Sequence, residues 1–127
     1  MWYSSKLMPF GRLSRRETEL MILRIAHLRG SEYEFTHHVR LGRRAGVRPD
    51  DVERVQAGPD ADGWSERERA LLHGIDELSA DRDITDDTWK ALRTQLSEPE
   101  CIELVMLSGQ YESLATTIST LRIQTDR

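Results

Sequence analysis

Four serines in this chain are each followed three residues later by a glutamate, at the edge of an apolar stretch. They open Ser14-Arg15-Arg16-Glu17, Ser31-Glu32-Tyr33-Glu34, Ser65-Glu66-Arg67-Glu68 and Ser97-Glu98-Pro99-Glu100. In this pattern the serine hydroxyl accepts a bond from a backbone N–H of the first helical turn, and the glutamate reaches back to the serine N–H. It marks a helix start, and a chain that carries it so often is committed to helices.

The residues between these starts agree. Leu20, Met21, Leu23, Ile25 and Leu28 follow the first box and end at Gly30, a helix-stop residue. The second box opens a helix through Ala45, closed by Gly46. Pro49-Asp50-Asp51 starts a short helix to about Ala57, with proline in the first turn and acids at the positive end. Gly58 to Gly63 is loop by composition. Leu71, Leu72, Ile75 and Leu78 follow the third box, Thr85 caps a run with Trp89, Leu92 and Leu96, and the last helix extends from about Pro99 to Leu121. No segment alternates as a strand. The expectation is a single compact all-α domain of five main helices plus the short one, spanning residues 13–127, with residues 1–12 as an apolar docking segment.

Length and charge narrow the function. A chain of 127 residues suits one domain. Lys plus Arg is 18 against 22 acids, a formal charge of −4, which argues against nucleic-acid binding. Cys101 is the sole cysteine, so no internal disulfide or cysteine-rich metal site forms. No apolar run approaches a membrane span, and the start has no stretch of signal-peptide length. The cytoplasm is the expected location. Ile102, Leu104, Val105, Leu107, Tyr111, Leu114, Ile118 and Leu121 cover more than one face of the last helix. Such a helix is deeply buried or shared with another subunit, and a homo-oligomer is expected.

Glu34 and His38 are the leading candidates for chemistry. Four helical steps place them on one face, with Cβ atoms about 5–6 Å apart. A carboxylate beside an imidazole holds its tautomer and raises its basicity, as proton transfer requires. The competing reading has Glu34 closing the Ser31 box and His38 in a surface pair. A metal site is not expected, because the histidines at 27, 37, 38 and 73 contain no His-x-x-x-His and His37 diverges from His38 by about 100°. Arg40, Arg43, Arg44 and Arg48 read as a solvated face, with an anion site as the minority reading. Trp64 reads as a staple at a helix entry and Trp89 as core. Cys101 reads as a small buried residue and His27 as packed on the following helix. Tyr111 either lines a pocket with its hydroxyl or belongs to the core.

The segments Leu13 to Arg24, Gly30 to Phe35 with His38, Ala45-Gly46-Val47, Glu68 to Leu72, Ile84 to Trp89 and Leu104 to Tyr111 together resemble the carboxymuconolactone decarboxylase family, which includes the alkylhydroperoxidase-D-like proteins. The resemblance implies an all-helical fold that assembles as trimers or hexamers. Its peroxidase branch carries Cys-x-x-Cys at the head of the second helix, where this chain has Ser31 and Glu34. A thiol step is therefore excluded. The family's histidine falls at His38 and its relay glutamate at Glu19. The decarboxylase branch, acting on lactone acids, is similar to what remains.

The functional expectation is a cofactor-independent acid–base enzyme on a small organic acid or lactone. Glu19, Glu34 and His38 are its catalytic candidates, lining a pocket between the first two helices, and His37, Arg40 and Tyr111 are candidates for substrate contact. No cofactor or metal is expected. The alternative is a non-catalytic oligomeric binding or structural member of the family. The two differ in a visible way: a scaffold leaves Glu34 capping its helix and His38 in solvent.

Overall fold

The computed structural model describes residues 11–124, which form six helices and no strand. These are α1 (Arg15–Arg29), α2 (Glu32–Arg44), α3 (Pro49–Ala57), α4 (Glu66–Asp81), α5 (Asp86–Gln95) and α6 (Glu98–Thr120). The expected docking of the N-terminal segment lies almost wholly outside the described residues. No described helix is long and apolar enough to cross a membrane.

α1 is the central rod, packed against α2, α3, α4 and α6. Every residue from Glu17 to Ala26 is buried, so apolar side chains on opposite faces serve two separate clusters. Met21, Ile22 and Ile25 meet Leu71 and Ile75 of α4, Leu92 of α5, and Leu104 and Leu107 of α6. Leu20 and Leu23 meet Val47, Val55, Trp64 and Leu72 on the other side. A fully buried leucine or isoleucine contributes roughly 1.5–3 kcal/mol, so this one helix accounts for much of the core.

The polar groups on α1 are used as pins. Arg24 donates to Asp76 of α4 at 2.7 and 3.0 Å and to the carbonyl of Val55 at 2.8 Å. Arg67 of α4 reaches Glu17 of α1, the Gln95 carbonyl at 2.7 Å and Glu100 of α6 at 2.7 Å. Burial pulls the Glu17 carboxyl upward, but Arg67 and the Ser14 N–H reverse this and hold it below its usual range. The buried Glu103 of α6 accepts from the backbone N–H groups of Arg12 at 2.8 Å and Leu13 at 3.1 Å, which anchors the chain's entry into α1.

One packing expectation changes. Trp89 is 42% exposed rather than core. α5 meets α4 and, more thinly, α6. Only Leu92 of α5 is buried, with Leu96 just beyond its end, and the first turn stays at the rim of the core. Along α6, Cys101, Leu104, Leu107, Tyr111, Ala115 and Ile118 are buried while Ile102, Val105 and Met106 face water. Trp64 is buried as expected, and its indole N–H donates to the Gly58 carbonyl at 3.1 Å.

Candidate functional site

The junction of α1 and α2 is only Gly30 and Ser31. Gly30 takes the left-handed conformation (φ 66°) that turns the chain out of α1. Its N–H donates to the His27 carbonyl at 3.1 Å, and the Ser31 N–H donates to the Ala26 carbonyl at 2.9 Å. Ser31 therefore closes α1 with the same N–H that a capping box would need for α2. The boxes at Ser14, Ser65 and Ser97 form, their serine N–H groups donating to Glu17, Glu68 and Glu100 at 2.9, 3.2 and 2.8 Å. The expected box at Ser31 does not form, and its hydroxyl makes no cap bond. Glu34 is released from the helix end by this competition.

The released carboxylate turns to His38. Oε2 of Glu34 lies 3.1 Å from Nε2 of His38, within ion-pair range but without the alignment of a hydrogen bond. On the other side of the ring, Nδ1 is 2.6 Å from Oε2 of Glu19, projecting from α1. The three side chains are 0–7% exposed. The imidazole is thus held between two carboxylates inside the protein. Burial alone lowers the basicity of His38, but Glu19 and Glu34 outweigh it and push its pKa up to about 9. At neutral pH His38 is an imidazolium.

Further groups frame the trio. Arg15, one turn before Glu19, places a guanidinium nitrogen 3.6 Å from Glu19 Oε1. The buried Tyr111 of α6 sets its ring edge-on to His38, with centroids 5.6 Å apart at 85°. It is therefore a wall of the site and also a member of the larger core cluster. His37 is exposed, its ring 5.2 Å from that of His38, and Arg40 is exposed on the following turn. Neither joins the buried trio. The exposed His27 lies against Phe35 of α2, ring centroids 6.4 Å apart.

Among the described residues, three buried side-chain oxygens have no hydrogen-bond partner: Glu19 Oε1, Ser31 Oγ and Glu34 Oε2. All three belong to this one locality. Two of them stand in ion-pair range of a cationic group, Glu19 Oε1 at 3.6 Å from Arg15 and Glu34 Oε2 at 3.1 Å from His38 Nε2, which leaves Ser31 Oγ as the one of the three with neither kind of partner.

A groove of about 640 Å³ opens next to the trio, between the Arg29–Tyr33 junction and the end of α6. Ser31, Tyr33 and Thr36 line it; Glu19, Glu34 and His38 do not. This groove is therefore not the pocket lined by the trio that the sequence suggested. The 100° step of α2 turns Tyr33 and Thr36 to the groove and Glu34 and His38 to α1. Among the described residues, no group of three or more histidine, cysteine or acidic side chains is arranged to hold a metal ion.

Ser31 and Arg15 were not among the candidates. Arg15 was legible from its four-residue spacing to Glu19. Ser31 was legible from its position directly after a stop glycine, where one N–H is asked to serve two helices.

A sequence profile described as the carboxymuconolactone decarboxylase family matches residues 3–77. No curated protein sequence matches the chain. Solved structures share the fold, among them the following two. One is a protein of unknown function from Agrobacterium tumefaciens, named as a candidate antioxidant defence protein AhpD. It superposes with a TM-score of 0.91 at 21% identity, covering 99% of this chain and 88% of that one. The other is an uncharacterized peroxidase-related protein from Silicibacter sp. TM1040, with a TM-score of 0.87 at 14% identity, covering 98% of this chain and 66% of that one.

Proposed function

Because the chain belongs to the carboxymuconolactone decarboxylase family, we propose that it is an acid–base catalyst that moves a proton at a carbon of a small organic acid or lactone. His38 is the proton donor and acceptor. Glu34 faces Nε2 and orients the ring toward the substrate side, and Glu19 at Nδ1 carries the compensating proton movement. Loss of CO2 from a lactone acid leaves an electron pair on carbon that takes one proton, and an imidazolium supplies it without further cofactor chemistry. The observation that carries this reading is the buried sequence Glu19–His38–Glu34, together with the missing cap at Ser31.

Thiol peroxidase chemistry is not part of the proposal. Cys101 is buried in the first turn of α6, and burial pushes its thiol pKa up, away from the reactive thiolate. It lies ten residues, or about 15 Å of helix rise, before Tyr111. We further propose that the protein works as a homo-oligomer joined through the outer apolar face of α6.

The test is proton exchange. A panel of γ-lactones and 2-oxo acids is incubated with the protein in D2O, and deuterium incorporation next to the carbonyl is followed by NMR. His38→Gln is expected to slow exchange at least about 100-fold, the usual worth of a positioned acid or base. Equal exchange by wild type and variant removes His38 from the mechanism.

A further inference from the structure

The outer face of α2 carries charge that the rest of the chain does not answer. Residues 35–49 hold Arg40, Arg43, Arg44 and Arg48 with two histidines and no acid. Elsewhere arginines are put to use: Arg16, Arg24, Arg29, Arg54 and Arg67 each hold a carboxylate. Arg40, Arg43 and Arg44 are exposed, and their side chains have no ion pair or hydrogen bond among the described residues. Steps of 100° bring Arg40 and Arg44 to one side of α2 with Tyr33 and His37, whose rings lie 6.5 Å apart. Arg43 and Arg44 suit the negative end of their helix, but Arg40 stands a turn earlier, where that effect has faded.

A surface of the opposite sign lies at the start of α5. Asp81, Asp83, Asp86 and Asp87 are exposed and form no ion pair among the described residues, with one arginine, Arg82, between them. Trp89 follows and is 42% exposed. Asp86 and Trp89, three residues apart, share a side of α5. Acids alone are an ordinary solvated edge. An indole left half in water beside them is not, and a guanidinium stacked on its face covers it well. α2 packs mainly on α1, and α5 on α4 and α6, so the two surfaces do not neutralise each other within one chain.

We propose that the arginine face of α2 docks on the Asp81–Trp89 edge of a second copy of this chain, with Arg40 and Arg44 set against the indole and the aspartates of that copy. Four arginines and no acid meet four aspartates and one arginine. Exposed ion pairs are individually weak, so the contact depends on several acting together and on the buried indole at their centre. The two surfaces differ, so the joint is head-to-tail, and it closes into a ring or runs on as a chain. It is separate from the outer apolar face of α6, and it does not depend on the chemistry read at His38.

Charge exchange decides it. Arg40→Glu with Arg44→Glu reverses one surface, and Asp81→Arg with Asp83→Arg reverses the other. All four side chains are exposed, so the circular dichroism of each full chain is expected to stay that of the wild type. Sedimentation velocity at low salt then reads the assembly. Each reversal alone is expected to lower the sedimentation coefficient, and the chain carrying all four changes is expected to recover the wild-type value. Trp89→Ala is expected to weaken self-association at least about tenfold, as loss of a central aromatic side chain does. A reversal or Trp89→Ala without effect, a monomeric wild type, or no recovery in the chain with all four changes overturns the proposal. A chain with Ile102→Glu and Met106→Glu keeps this contact, so adding either reversal to it is expected to lower its sedimentation coefficient further, and the two interfaces stand or fall separately.

Discussion

His38 shows how far two neighbours can move one side chain. Its pKa of about 9 lies above the ordinary 6.5, so the folded state binds a proton that the unfolded chain releases. The stabilisation is fully present below about pH 6.5 and is lost as pH rises through 9. The prediction is a loss of stability on the order of 1–3 kcal/mol between pH 6.5 and 10, read as a falling melting temperature, that His38→Gln no longer shows. Proton NMR of the His38 ring checks it directly: the midpoint is expected near 9 in wild type and lower in Glu19→Gln. A midpoint near 6.5 in the intact protein refutes the paired arrangement. The sequence showed half of this. The four-residue spacing of Glu34 and His38 is local, so it was readable. The Glu19 contact spans nineteen residues and two helices, and only the family resemblance pointed to it.

At the level of elements, helix ends were the most legible feature and also the source of the main error. All six helices begin where Ser14, Ser31, Pro49, Ser65, Thr85 and Ser97 place them. Three serine boxes formed and the fourth did not, because Ser31 had already donated its N–H to α1. The two kinds of serine make opposite predictions. Ser97→Ala removes a hydroxyl that accepts from the Glu100 N–H at 3.3 Å, and about 1 kcal/mol of stability goes with it. Ser31→Ala removes a hydroxyl that caps nothing, and stability is expected to change by less than about 0.5 kcal/mol. Urea unfolding of the two variants side by side measures the difference. Similar losses would mean that Ser31 caps α2 in solution. Trp89 was misplaced for another reason. Its spacing to Leu92 is right for one face, but periodicity cannot say where a short outer helix leaves the core.

Among the described residues, α1 is packed by α2, α3, α4 and α6, and an outer face of α6 is left apolar. Ile102, Val105 and Met106 are 58%, 42% and 44% exposed on α6, next to the groove-lining helix end only through a long intervening stretch. If this face joins copies of the chain, Ile102→Glu together with Met106→Glu yields a slower-sedimenting species in analytical centrifugation, with helicity intact because neither side chain is in the core. An unchanged sedimentation coefficient places the contact elsewhere. Composition and a broadly apolar last helix indicated this face, but sequence alone did not separate its buried positions from its outer ones.

The groove has two owners. One side comes from the junction of α1 and α2 and the first turns of α2, whereas its opposite wall comes from the far end of α6. The division of labour has an evolutionary corollary. If the groove takes a ligand, substitutions at Ala115, Ile118 and Ser119 change which molecule fits while leaving the contacts among Glu19, His38 and Glu34 untouched, so the two can vary independently.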